Sequence, residues 1–484
     1  MSHLRMPRPG GLFLGAVVAM SLVAVPSRGA DPASLDTSLK FVPAEAAFYS
    51  ATLRNREQFD AIAKSKAWAR LMELPFIQTA WKEASAELNK KGGALEQLEA
   101  FRKDPENQQL LDLGMDMLST EFFFYGDESV NQVLDLYSRV QGASRFGTIL
   151  AMAKGENKGM EVNELQLHMT MKSLQDNIDL IKVPDLVFGF RLKDTERAEA
   201  QIKRLETLIK GPINQQPMLK GRLKRVPLGG KDFLTFTLDG AMIPWEEIWT
   251  KVEKEEGEFD KLKKKLKSMT LSISMGVRGQ YMLVSIGAST KHLTKLGKPT
   301  SLATRPEFQP LAKHTDKRII DIGYVSKDLR TKFAFTKKDF DEYATLGREA
   351  LKNAEQIPEA LKKRLEKDLD DLIKDVRPSI ADVGPLMSFT FMTSTGQESF
   401  AYDWSEHLSS DGSKPLSIVQ HLGGGPLLAV ANRGKYSPET YATFVKWAKN
   451  FYSYVDDFVL QLLRRLRAED LRRQREDRRH VFGL

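Results

Sequence analysis

Three stretches of the chain alternate apolar and small polar residues with a period of two on either side of a turn. Period-two alternation is the pattern of a strand with two unlike faces, and a short turn between two such strands makes an antiparallel pair. Leu223–Leu238 turns at Gly229-Gly230, and its second arm sets Leu234, Phe236 and Leu238 against Thr235 and Thr237. Leu271–Ile286 turns at Arg278-Gly279, with Leu271, Ile273, Met275 and Val277 alternating with Ser272, Ser274 and Gly276. Met387–Trp404 turns near Thr395-Gly396.

Between these hairpins lie units that read as a strand followed by an amphipathic helix. Ala46–Leu53 predicts a strand, and Asn55 with Gln58 predicts a capping box for the next helix. That helix should break near Pro75, and helical sequence runs on to about Leu118. Phe122–Tyr125 predicts a short strand and Ser129–Val140 a helix. Leu186–Leu192 predicts a strand, after which Asp194 can cap a helix with Ala198, Ile202, Leu205 and Ile209 on its apolar face. Ile319–Val325 is a further strand, followed by helical sequence from about Lys338 to Val376, and Pro426–Ala431 a last short one. Hairpins mixed with strand–helix units indicate an α+β fold rather than a doubly wound parallel sheet. Ala46–Leu71 and Ile319–Leu346 share the order strand, polar corner, helix, which predicts an internal duplication. The expected organisation is a leader over 1–30, a first α+β region over 31–316, a second over 317–436, and a long C-terminal helix over 437–484.

The chain has 484 residues and no cysteine. Disulfides, thiolate metal sites and cysteine nucleophiles are thereby excluded, and packing alone must hold the fold. The apolar and charged fractions, 42% and 28%, are those of a globular protein. The formal net charge of +8 is concentrated at the two ends. Arg5, Arg8 and Arg28 lie in or beside the leader, and eight arginines stand against four acids between Arg464 and Arg479. A body near neutrality argues against a nucleic-acid partner, which would call for basic residues spread over a folded face.

Residues 1–30 read as a secretory signal. Arg5 and Arg8 precede the fifteen-residue apolar run Gly11–Val25, which Pro26 ends. A membrane-spanning helix needs roughly 20 apolar residues. Cleavage after Ser27 or after Ala30 is expected; retention as an uncleaved anchor is the alternative. The mature chain is expected in the periplasm, the cell envelope or outside the cell.

At the other end, Ser437 and Pro438 are suited to the N-cap and first turn of a helix. Tyr441, Val445, Ala448, Tyr452, Val455, Val459, Leu462 and Leu466 then follow a four–three spacing, a heptad seam. At its end and beyond lie Arg464, Arg465, Arg467, Arg472, Arg473 and Arg475, the candidate interaction residues. Three readings stay open: a helix packed on its own domain, a helix paired with a partner, or a basic end resting on an anionic lipid or wall polymer.

The motifs of common chemistries are missing. None of the seven histidines pairs with another at i, i+4, so a helical zinc-protease site is absent. Gly229-Gly230-Lys231 is followed by Asp232 and Gly297-Lys298 by Pro299, so neither makes a phosphate loop. Ser289 lacks the second glycine of a hydrolase elbow. His421-Leu422-Gly423-Gly424-Gly425 reads as a loop into the 426–431 strand, with no nucleophile elbow to accompany it. The pairs Asp370-Asp371 and Asp456-Asp457 read as solvated helix faces, since neighbours at i, i+1 on a helix do not face each other. Trp245 and Trp249 share a helix face and read as packing residues. No cofactor, metal or catalytic residue is expected.

Val42-Pro43-Ala44-Glu45-Ala46-Ala47-Phe48-Tyr49, the Gly279–Gly287 strand with the helix Ser289–Leu296, and Ser301-Leu302-Ala303-Thr304-Arg305-Pro306-Glu307-Phe308 occur in an order that resembles an exported bacterial domain-of-unknown-function family, DUF3352-like. The resemblance implies an envelope or exported location and a repeated α+β build; it brings no activity, cofactor or site residue. The expectation is an exported, non-enzymatic envelope protein with a binding or structural role. The alternatives are a hydrolase acting on an exterior polymer, and a membrane-surface or partner-docking protein working through its C-terminal helix.

Overall fold

The computed structural model describes residues 31–148, 161–245, 257–353, 357–394, 396–406, 414–423, 429–434 and 437–456, together with Trp249, Glu253, Glu255 and Arg467. Its strands are β1 Phe48–Leu53, β2 Glu121–Gly126, β3 Leu186–Arg191, β4 Leu223–Leu228, β5 Lys231–Asp239, β6 Thr270–Arg278, β7 Tyr281–Gly287, β8 Arg318–Val325, β9 Leu386–Met392 and β10 Gln397–Asp403. They form one ten-stranded sheet in the order β10-β9-β8-β1-β2-β3-β7-β6-β5-β4. Every pairing is antiparallel, and with the helices this makes a mixed α+β fold.

All three predicted hairpins form. The β4–β5 turn places Gly229 and Gly230 at φ of 59° and 82°, the paired left-handed conformation that a tight two-residue hairpin needs. Sheet membership crosses the boundary expected at 316/317, because β8 lies directly against β1. The chain divides instead into one unit of the described residues in Met1–Ala334 with Val383–Trp404, and a second in Phe335–Asp382 with Ser405–Leu484.

One face of the sheet is buried across its central strands. Tyr49, Ala51, Phe123, Tyr125, Val187, Leu283, Ile322 and Phe389 point into a core closed by Leu39, Val42, Leu293, Leu302, Phe308 and Leu311. These closing residues come from irregular segments before β1 and between β7 and β8. Backbone hydrogen bonds from Leu302 to Val42 (2.8 Å) and from Gly297 to Phe41 (2.7 Å) hold the two segments together.

On the opposite face, helices α1 Asn55–Ala63, α2 Lys66–Met72, α3 Pro75–Leu88, α4 Ala94–Arg102 and α5 Pro105–Ser119 join β1 to β2. None of residues 54–112 is buried, and Phe59, Phe76 and Trp81 are each at least 65% exposed. Helices α6 Ser129–Gly142 and α7 Val162–Asp176 join β2 to β3, and α8 Thr195–Gln215 follows β3. Asp194 caps α8 as expected, its carboxylate accepting from the Arg197 amide at 3.0 Å. Ala198 and Ile202 are buried with Leu113 of α5 over Leu234, Val277 and Met282, whereas Leu205 is exposed because the packed surface ends one turn earlier. Helix α9 Asp260–Ser268 packs Leu262 with Phe259 and Trp249 in a third small core.

Three expectations are corrected. Asn55 and Gln58 make no capping box: Arg54, at φ 54°, is the N-cap and gives no side-chain capping bond, and Gln58 donates elsewhere. The chain breaks before Pro75 as well, at Ser65, whose hydroxyl caps α2 by accepting from the Trp68 amide at 3.0 Å. Residues 426–428 of the predicted 426–431 strand lie outside the described residues, and 429–431 are irregular, with Val430 81% exposed.

After β8 come α10 Lys327–Thr331 and, in the second unit, α11 Lys337–Asn353, α12 Glu359–Val376 and α13 Pro438–Tyr454. Arg348–Asp370 (2.7 Å) and Arg377–Asp341 (2.8 Å) join α11 to α12 and its end. Trp447 Nε1 donates to Asp375 of α12 at 3.0 Å, and Arg364 lies over the Tyr454 ring at 4.5 Å. Ser437 caps α13 as predicted. Of the expected seam, Tyr441 and Tyr452 are each 69% exposed; Val459, Leu462 and Leu466 lie outside the described residues.

Candidate functional site

The second sheet face changes character at its middle. Register places Thr390 (β9), Asp321 (β8), Thr52 (β1), Phe122 (β2) and Phe190 (β3) on one rung. The next rung on the same face is Ser388, Gly323, Ser50, Phe124 and Phe188. Three strands thus present hydroxyls and one carboxylate, and the next two present phenyl rings. Phe124 stacks on Phe188 at 4.4 Å between centroids, and Phe122 lies 5.1 Å from Phe190. Ser50 is exposed although β1 is an interior strand, so solvent reaches this face at its centre.

A β-bulge turns Asp321 onto this face. Ile319 pairs with Phe391 and Asp321 with Thr390, leaving Ile320 as the extra residue. Alternation would otherwise put Ile319 and Asp321 on the same side; one inserted residue reverses everything that follows. Ile319 therefore packs in the buried core while Asp321 faces out with Thr52. The Gln58 side-chain amide donates to the carbonyls of Leu53 (2.8 Å) and Ile320 (3.2 Å), satisfying the acceptor the bulge takes out of the ladder. Asp321 is half-buried, and that burial pushes its carboxyl up to about 6; no charged neighbour contributes to the shift. No ion pair or hydrogen bond reaches this carboxylate from the described residues.

The buried face holds a second carboxylate of another kind. Glu121 is 1% exposed and accepts from the Ser38 amide at 2.7 Å and the Tyr281 hydroxyl at 3.0 Å. The Ser38 hydroxyl meets Tyr49 Oη at 2.9 Å, and Arg191, 3.9 Å from Glu121, pairs with Asp36. Burial holds the Glu121 carboxyl above the usual range against these hydrogen bonds, and burial with the Glu121 charge pushes the Tyr281 phenol up. Its partners being used internally, Glu121 ties the 31–47 segment to the sheet.

The candidates read from sequence fall elsewhere. Arg464, Arg465, Arg472, Arg473 and Arg475 lie outside the described residues, and Arg467 is exposed. Trp249 is a core residue, 6.1 Å from Trp245 and 6.3 Å from Phe259 between ring centroids. Asp370 pairs with Arg348, and Asp457 lies outside the described residues. His292 is buried 3.3 Å from Asp185. His314 sits among Phe389, Phe391 and Phe400, and neither of its ring nitrogens has a hydrogen-bond partner among the described residues. No group of three or more metal-ligating side chains occurs among the described residues.

Asp321 and Glu121 were missed. The available signal was an acid inside Ile319-Ile320-Asp321-Ile322 and another opening Glu121-Phe122-Phe123-Phe124. Compared with protein-family models, curated proteins and solved structures, the chain shows no match in any of the three.

Proposed function

We propose that this is an exported, non-enzymatic binding component of the cell envelope, and that the two open rungs around Asp321 are its binding surface. The observation that carries the reading is the bulge: it turns a carboxylate with no partner among the described residues toward solvent, between hydroxyls and beside a set of stacked rings. Ligand sites combine an apolar wall with a few placed polar groups in this way. Glycoside hydrolysis needs two carboxyl groups across the scissile bond, and among the described residues burial alone perturbs Asp321, with no second carboxylate acting on it. That favours binding over hydrolysis here.

Export is supported by the arginine-flanked apolar run of residues 1–30 and by the DUF3352-like stretches. Internal duplication is supported by the sheet centre: β1 and β8 are antiparallel neighbours, and each leads through helices to its own outer neighbour, β2 or β9.

Fractionation of cells expressing the full chain tests the location: a cytoplasmic product retaining residues 1–30 overturns it. Retention of purified protein on isolated envelope material tests the surface. Ser50→Trp, at an exposed position, should release the protein without lowering its melting temperature; unchanged retention rejects the open face.

A second reading, partner docking through α13, is favoured by the exposure of Tyr441, Phe444, Phe451 and Tyr452. Tyr441→Glu with Tyr452→Glu should then lower the oligomeric state or the envelope association, and no change dismisses it.

A further inference from the structure

Resting on the proposed binding role of the open face, we infer that its ligand is an organic ammonium with an apolar body, the cation seated on Asp321 and the body lying over Thr52 onto Phe122 and Phe124. The rung geometry sets the ligand's dimensions. Asp321 and Phe122 stand on strands separated by β1 alone, so their backbones are about 10 Å apart at ~4.8 Å per strand. An ammonium–carboxylate hydrogen bond takes up about 3 Å of that. About 7 Å remains between cation and apolar group, the reach of a four-carbon chain.

The chemistry selects the sign of charge. A carboxylate held partly out of water with no countercharge among the described residues is costly, and a cation that supplies that partner recovers the cost. Thr52 and Thr390 flank it on the rung with hydroxyls and no charge. Anions would meet Asp321 with nothing to offset it. The phenyl faces beside Thr52 suit both an apolar body and a nearby cation, since the ring face is the negative end of its quadrupole. A simple metal ion is a poor fit: one carboxylate and two hydroxyls fall short of a hard cation's six or more oxygens.

The test uses the full-length protein at pH 7.5 with three probes of one shape: 4-phenylbutylammonium, 4-phenylbutanol and 4-phenylbutanoate. Titration calorimetry should show the ammonium binding at least tenfold more tightly than the alcohol, with the carboxylate weakest. Asp321→Asn, near-isosteric and checked for folding by its thermal melt, should erase the preference for the ammonium over the alcohol. Equal binding of the three probes overturns the inference, as does an ammonium preference that survives Asp321→Asn. If no probe binds while Ser50→Trp still releases the protein from envelope material, the cation inference falls and the binding surface stands. If Ser50→Trp changes nothing either, both fall.

Discussion

The ring of Phe123 lies directly against the α-carbon of Gly189, its cross-strand partner, so closely that a β-carbon at Gly189 would fall inside the ring's van der Waals envelope. Phe123 cannot swing away, because Phe41 and Tyr281 meet it edge-on at 6.4 and 5.3 Å. Gly189→Ala should therefore cost about 1–3 kcal/mol, the range for overpacking a filled core. A lowered denaturant midpoint with unchanged slope checks this; an unchanged midpoint means the ring can move.

Glu121 bridges the segment before β1 to the sheet through Ser38 and Tyr281. Glu121→Ala strands a buried amide and a phenol, and should cost about 2–4 kcal/mol. Limited proteolysis should then cut first within residues 31–47. Glu121→Gln keeps one acceptor and should cost less. Burial raises the folded-state carboxyl, so its stabilising contribution is full at acid pH and declines as pH rises through the folded value. The Glu121→Gln penalty should accordingly be smaller at pH 8 than at pH 4, read as the difference in melting temperature from the parent.

Asp321 has the same sign with a defined window. Its carboxyl stands at about 6 against a reference of 3.8. The folded state therefore holds its proton more tightly than the unfolded chain, and stability is lost as pH rises from about 4 through 6. Asp321→Asn should raise stability at pH 8 by up to about 3 kcal/mol, at 1.36 kcal/mol per pKa unit, and leave it unchanged at pH 4. A loss of stability at pH 8 would reveal a hidden partner.

His314 has the opposite sign. Burial among Phe389, Phe391 and Phe400 lowers its pKa, with Lys317 and Lys313 acting in the same direction and Asp316 and Glu398 against it. Its contribution is present above pH 6.5 and lost as pH falls through the lowered value. His314→Phe removes two buried nitrogens that have no hydrogen-bond partner among the described residues. It should gain about 1 kcal/mol at pH 7 and flatten the decline toward pH 5, followed by melts across that range.

Local chemistry in the sequence determined much of the strand inventory and several helix starts. Period-two alternation locates β5, β6 and β7, the glycine pair at 229–230 sets a turn, and Asp194, Ser437 and Pro438 start their helices, because each signal acts within a few residues. The order of the strands was decided only in the tertiary structure. β1 and β8 become neighbours although more than two hundred residues separate them, and nothing in either strand names the other. The site depended on the same long-range pairing: a bulge exists only relative to a partner's register, so Asp321 belongs to the open face solely because β9 skips Ile320. Side-chain alternation within a strand is a property of the backbone, whereas the choice of outward face is settled by what the whole sheet can bury.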